Sequence, residues 1–275
     1  MRSLSIVLVA GLSCLGGSMP AADSTPFALG QQGGILIPAS LNGAGPFVMI
    51  LDTGASHSSV SEELALSLRL PAVARTTVES PVGDRERMVV RIDRIQVGAH
   101  QLSVMPTVVP RRDLAIAGDV HGVIGQDVLA NLRYTIDFRN RRVAWHGSDE
   151  SAAAGSIAVL PLAFSDGLPF VELSQGRSRL RLVPDSGAGG LVLFSGAGRE
   201  QLPSRPGDGI VRLDTFQGRG YARHVVISQF RVGGSTLHDL PAVVVEHGGA
   251  GDGLLPLHLF ERVTFDGPAG RLILG

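Results

Sequence analysis

The chain contains no lysine; all 24 of its basic residues are arginine. That excludes Schiff-base chemistry and any phosphate-binding loop that depends on a lysine. Its one cysteine is Cys14, near the N-terminus. A mature chain without that segment has no disulfide, no thiolate nucleophile and no thiolate metal site. Excess charge is missing too: the formal net charge is -1, which gives no electrostatic reason to bind nucleic acid or an anionic membrane. Beyond the N-terminus no apolar run is long enough to cross a bilayer. The eight histidines include no His-x-x-x-His pair, so neither a metal nor a cofactor is expected. Ser195 lacks the preceding glycine of a nucleophile elbow. The glycine cluster at 248–253 lacks the strand-to-helix pattern of a dinucleotide site and reads as a mobile loop.

What is present suits a globular protein. The 275 residues are 44% hydrophobic and 18% charged, enough to fill a core, with room for one large domain or two lobes. Residues 1–22 read as an export signal. Arg2 supplies the positive start, Leu4 to Leu12 is an apolar core too short to span a membrane, and small residues follow up to Ala22. A retained anchor is the alternative, as is lipidation at Cys14, although Gly11 stands where a lipobox has an aliphatic residue. The expected location is outside the cytoplasm, in a bacterial periplasm or secreted.

One short motif occurs twice. Asp52-Thr53-Gly54-Ala55 follows the apolar run Phe47 to Leu51, and Asp185-Ser186-Gly187-Ala188 follows Leu180 to Pro184. A carboxylate at the end of a buried strand must leave water and needs a hydrogen bond or a partner. Two such acids in one chain suggest that each is the other's partner. Taken singly, either motif also suits an ordinary turn.

The repeat extends well past the acids. Asp52 and Asp185 are 133 residues apart; Ile92–Gly98 recurs as Ile227–Gly233 and Pro106–Val109 as Pro241–Val244, both shifted by 135. Gly122-Val123-Ile124-Gly125 recurs as Gly253-Leu254-Leu255-Pro256, shifted by 131, and Tyr134–Asp137 as Val263–Asp266, shifted by 129. Five matches in the same order at nearly constant spacing describe a duplicated unit, with the length differences placed in loops. Short Val/Ile/Leu runs separated by Gly, Pro, Asp and Asn make each unit all-β. One short helix is expected at Ser61–Leu66, which has a hydroxyl cap and early acids, and another near Gln126 or Asp127. The expected organisation is lobe 1 over 27–146, a linker over 147–155 and lobe 2 over 156–275.

These residues resemble the aspartic proteases, the retropepsin-like ones more than the pepsin-like ones. The resemblance rests on Leu51–Ser56 with Gly122–Gly125, and on Val183–Ala188 with Gly253–Leu255, and it spans both halves of the chain. It implies two similar β-barrel lobes related by a pseudo-twofold axis, with Asp52 and Asp185 meeting on that axis as a catalytic dyad. It also implies that Thr53 and Ser186 exchange hydrogen bonds across the axis. Gly54 allows torsions that a Cβ forbids and lets the partner loop come close; Gly187 is its counterpart in the second motif. Ile124 and Gly125 pass under the first loop as a buttress. Lobe 2 departs from the pattern in two places. Pro184 has no N–H for the sheet just before Asp185. Pro256 stands where lobe 1 has Gly125, so the buttress under Asp185 is expected to shift.

The implied activity is hydrolysis of peptides or proteins by a water held between two carboxyls that share one proton. An inactive peptide- or protein-binding module on the same fold is the alternative. Alanine follows each acid at the third place (Ala55, Ala188), where pepsin-like members can place a hydroxyl that lowers a carboxyl pKa. A dyad working at mildly acidic to near-neutral pH is therefore expected. Segments around Gly83 in lobe 1 and around Phe216, Gly218 and Tyr221 in lobe 2 look like two flap hairpins, or else two ordinary exposed ones. His57 is expected at the surface. A monomer is expected, since pairing of the two lobes within a chain is simpler than pairing between chains.

Overall fold

The computed structural model describes residues 24–30, 33–78, 85–114, 118–146, 156–195, 202–215, 218–246 and 249–275. The expected export segment with Cys14, the expected linker at 147–155, Gly83 and Phe216 lie outside these residues. The described chain is nearly all β, with three short α-helices.

Alternation of apolar and polar side chains makes the strands. In Ile35–Leu41 the residues Ile35, Ile37, Ala39 and Leu41 point into the core, the period-two pattern of a half-buried strand. The neighbouring strand Ala44–Leu51 ends in Met49-Ile50-Leu51, all buried. Each such side chain contributes about 1.5–3 kcal/mol on leaving water, so the strand that carries Asp52 is anchored at its far end. Helix Glu62–Ser67 forms as expected. The Ser61 side chain caps it by accepting from the Leu64 N–H at 3.1 Å, and Glu62 and Glu63 face its positive end.

The duplication appears directly in the strand order. One sheet, of ten strands, contains the run Ala72–Val78, Arg85–Val90, Thr107–Val109, Ser59–Ser61, Gly122–Ile124, Ala44–Leu51, Ile35–Leu41 and continues into Ile92–Val97 and His100–Val104. The other, of eight strands, contains the run Ser204–Thr215, Gly218–Val232, Ser235–Val245, Leu191–Phe194, Gly253–Pro256, Ser178–Asp185, Leu168–Gln175 and ends in Ala163–Ser165. The parallel pairs recur as well. Gly122–Ile124 lies parallel to Ala44–Leu51, and Gly253–Pro256 lies parallel to Ser178–Asp185.

A third, six-stranded sheet joins the lobes. Its order from one edge is Ser24–Pro26, Arg142–Trp145, Arg133–Asp137, Arg262–Asp266, Arg271–Leu274, Ala158–Pro161. The two central strands are antiparallel and pair Thr135 with Thr264, Arg133 with Asp266 and Asp137 with Arg262. Thr135 and Thr264 are equivalent residues of the two repeats, so a local twofold axis passes between them. Their hydroxyls are 2.7 Å apart. Equivalent ion pairs flank them: Arg133 Nε to Asp266 Oδ2 at 3.6 Å and Arg262 Nε to Asp137 Oδ2 at 3.7 Å. On the other face Tyr134 stacks on Phe265 at 5.0 Å between ring centroids, inside the main core.

Two details differ from the sequence expectations. Helix Arg111–Leu114 was not anticipated; its Leu114 joins Val120 in covering Ile50 and Val123. The glycine-rich segment before Gly253 is not a loose loop where it is described, because Asp252 accepts from the Arg181 N–H at 2.7 Å and donates its own N–H to the Arg181 carbonyl.

Candidate active site

Each acid stands just where a strand runs out into a loop. Asp52 follows Ala44–Leu51, and its N–H donates to the Ile124 carbonyl at 3.0 Å. Asp185 ends Ser178–Asp185 and pairs in register with Pro256. The two carboxyls, from opposite lobes, lie close enough for each to act on the other, and each residue is 8% exposed.

The loops are clasped across the axis by four hydrogen bonds in two matching pairs. The Thr53 N–H donates to Ser186 Oγ at 3.0 Å and the Ser186 N–H to Thr53 Oγ1 at 2.9 Å. The Thr53 hydroxyl donates to the Pro184 carbonyl at 2.8 Å and the Ser186 hydroxyl to the Leu51 carbonyl at 2.9 Å. Both side chains are buried, so each bond satisfies a group that would otherwise be costly. Pro184 takes part through its carbonyl; its missing N–H does not interrupt the clasp.

Local N–H groups point at the acids. Gly54 donates to Asp52 Oδ1 at 2.9 Å; Gly187 and Ala188 donate to Asp185 Oδ1 at 2.6 and 3.2 Å. These bonds favour the ionised forms, but burial outweighs them. Loss of water pushes the Asp52 carboxyl above its ordinary value. Burial pushes Asp185 up further still, and the neighbouring Asp52 charge adds to it. Two acids this close hold one proton between them, and that proton belongs to the pair.

The glycines act through space. No positive φ is found at Gly54 or Gly187, so the torsional reason expected for Gly54 does not apply. A Cβ on Gly54 would lie 2.6 Å from the Asp185 carboxyl carbon, whereas one on Gly187 would lie 3.3 Å from Asp185 Oδ1 and 3.5 Å from Asp52. Gly125 lies under the first loop. A Cβ there would come within 2.8 Å of the Ala55 and His57 backbone, and Ile124 beside it is fully buried.

Pro256 does not displace Asp185, and its surroundings account for that. In lobe 1 the Gly125 N–H donates to Ser58 Oγ at 3.0 Å. The residues equivalent to Gly125 and Ser58 are Pro256 and Leu191. Donor and acceptor are absent together, and Leu191, Leu255 and Leu257 are fully buried. Replacing both partners of a buried hydrogen bond by apolar groups is nearly neutral, whereas removing one is not.

Three polar residues at the site escaped sequence reasoning: Ser58, Gln126 and Asp127. Gln126 Nε2 donates to the Thr53 carbonyl at 2.7 Å, and Asp127 Oδ1 accepts the Ser58 N–H and hydroxyl at 2.9 and 2.6 Å. The only sequence signal was a helix start directly after Ile124-Gly125. His57 is exposed, with Nδ1 3.0 Å from the Ser56 hydroxyl. Of the residues expected in flaps, Gly218 pairs with Thr215 at the end of a long hairpin, and Tyr221 pairs with Arg212 and is 76% exposed.

A paired-lobe β fold with two loop acids on its axis defines the aspartic protease class. A family model described as aspartyl protease matches the chain twice, over residues 37–128 and 171–259. The chain belongs to this aspartyl protease family, as a duplicated, retropepsin-like member. No curated protein matches it.

Proposed function

We propose that the protein is an exported aspartic endopeptidase, in which Asp52 and Asp185 activate one water against a peptide carbonyl. The observation that supports this best is the pair of buried carboxyls, one from each repeat, brought together by the clasp between Thr53 and Ser186. The ionised carboxyl, drawn here as Asp52, takes a proton from the water as its oxygen bonds to the carbonyl carbon. Asp185 gives its proton to the carbonyl oxygen. When the C–N bond breaks, the proton held by Asp52 passes to the leaving nitrogen and a hydroxyl of the intermediate returns its proton to Asp185. Nothing becomes covalently attached to the enzyme.

Activity extends to mildly acidic or near-neutral pH on this reading, since burial raises both carboxyls and neither Ala55 nor Ala188 supplies a hydroxyl to lower them. A pH–rate profile peaking below about pH 3 would contradict it. Tyr221, exposed on the lobe 2 hairpin, is a substrate contact, and Gly218 belongs to a flap. Export rests on Arg2 and the apolar stretch from Leu4 to Leu12, and a monomer rests on the pairing of the two lobes within one chain.

The test is incubation of purified wild type, Asp52→Asn and Asp185→Asn with a mixed peptide library across acidic and neutral pH, read by mass spectrometry. Cleavage by wild type and a loss of about 10²–10⁴-fold in each variant are expected. A wild type that binds peptides and never cuts them would make the protein an inactive binding module instead.

A further inference from the structure

The turn of helix Gln126–Leu129 lies under the first loop and touches it at both ends. Gln126 is 3% exposed. A primary amide in that position is costly unless it is hydrogen-bonded. Its side chain donates to the Thr53 carbonyl at 2.7 Å and its backbone N–H donates to the Ala55 carbonyl at 2.9 Å. Thr53 is the residue whose N–H and hydroxyl grip Ser186 and Pro184 in the other lobe. At the far end of the loop, Asp127 holds Ser58, and Ser58 holds the Gly125 N–H.

Lobe 2 has a buttress without this brace. The equivalent turn, Leu257–Leu259, opens with a leucine that has no side-chain donor. Among the described residues no side-chain hydrogen bond joins that turn to residues 185–191. The same fold therefore carries both solutions, and the apolar one needs no buried amide. A polar brace differs in being directional: a hydrogen bond fixes the orientation of a carbonyl, while apolar packing leaves it freer to tilt. A misplacement of about 1 Å at reacting groups can cost about 10²-fold in rate.

We propose that Gln126 and Asp127 are positioning residues for hydrolysis. Gln126 sets the Thr53 carbonyl and, through the Thr53 clasp, the approach of Asp185 to Asp52; Asp127 fixes the exit of the loop through Ser58. The inference rests on the proposed protease activity.

Steady-state kinetics on one cleaved peptide test it, together with carboxyl-carbon NMR titration of the two acids. Gln126→Leu, which copies lobe 2, is expected to lower kcat about tenfold, the loss of roughly one such bond, with KM changed by less than about twofold. Gln126→Glu keeps the size. Its activity relative to wild type is expected to recover as pH falls, because a protonated carboxyl can again donate to Thr53. Asp127→Ala is expected to lower kcat about as much, and Asp127→Asn, which retains the accepting oxygen, to restore it to within about twofold. Unchanged kcat and pH profile in folded Gln126→Leu and Asp127→Ala would overturn the inference and leave the protease reading intact. If wild type cleaves nothing, the protease reading fails separately. The NMR titration then decides: a shift of the dyad's steps in Gln126→Leu supports the positioning role, and unmoved steps overturn it.

Discussion

The loops that carry Asp52 and Asp185 hang from sheets that share a run of seven strands in the same order, yet they are held in different ways. The first is tied by Gln126, Asp127 and Ser58 through side-chain hydrogen bonds. The second contains Gly189 and Gly190 where the first has Ser56 and His57. A Cβ on either glycine would meet nothing within 4 Å, and beneath the loop lie Leu191, Leu255, Pro256 and Leu257. The clasp across the axis is symmetric all the same. After duplication, the contacts between the two repeats stayed equivalent while the supports behind each acid diverged, and paired changes such as Gly125 with Ser58 against Pro256 with Leu191 made that divergence cheap.

The largest expected asymmetry is steric. Gly54→Ala pushes a methyl into the Asp185 carboxyl, whereas a methyl on Gly187 meets Asp185 Oδ1 at 3.3 Å, a tight contact that a few tenths of an ångström of give would relieve. Peptide hydrolysis is expected to fall about 10²-fold or more in the first and less than about tenfold in the second. Equal losses would mean that the two loops approach each other symmetrically. Next in size are the supports. Leu191→Ala is expected to cost about 2–5 kcal/mol in urea unfolding, as a core leucine does. Ser58→Ala is expected to cost about 1–3 kcal/mol, since it leaves the Gly125 N–H unpaired. A larger cost for Ser58 than for Leu191 would reverse the assignment of polar support to lobe 1 and apolar support to lobe 2.

The smallest expected effect concerns pH. The folded-state pKa of Asp185 lies well above the ordinary 3.8, so the native protein keeps a proton that the unfolded chain has released. Stability therefore falls as pH rises from about 4, the unfolded carboxyl value, through the raised native value. Asp185→Asn removes that fall. Its thermal midpoint relative to wild type should rise between about pH 4 and pH 7. A constant difference across that range would show that the Asp185 carboxyl is not raised.

Much of this was legible in the sequence because duplication writes the same message twice. The repeated Asp-(Thr/Ser)-Gly-Ala and Gly122–Gly125 with its partner located the acids, the two-lobed fold and Ile124. Other features depend on three-dimensional pairing that no local pattern carries. Pro206, Gly207 and Gly209 look like a turn, yet they lie within Ser204–Thr215, where the ladder with Gly218–Val232 slips register between Pro206 and Ile210. Helix Arg111–Leu114 is mostly charged and was missed because only Leu114 faces the core. Gln126 was invisible as a site residue, because a glutamine at a helix start reads as solvent-facing until the loop above it is known. Gly54 was legible as necessary, but for a torsional reason that the structure replaces with the proximity of Asp185.

The central claim is that two acids, one from each repeat, share a single proton. Carboxyl-carbon NMR titration of wild type, Asp52→Asn and Asp185→Asn tests it most directly. The expected wild-type result is two coupled steps, the upper one well above the ordinary aspartate range, with the surviving acid in each variant titrating differently from either step. Two independent titrations near about pH 4, unchanged when the other acid is replaced, would contradict it.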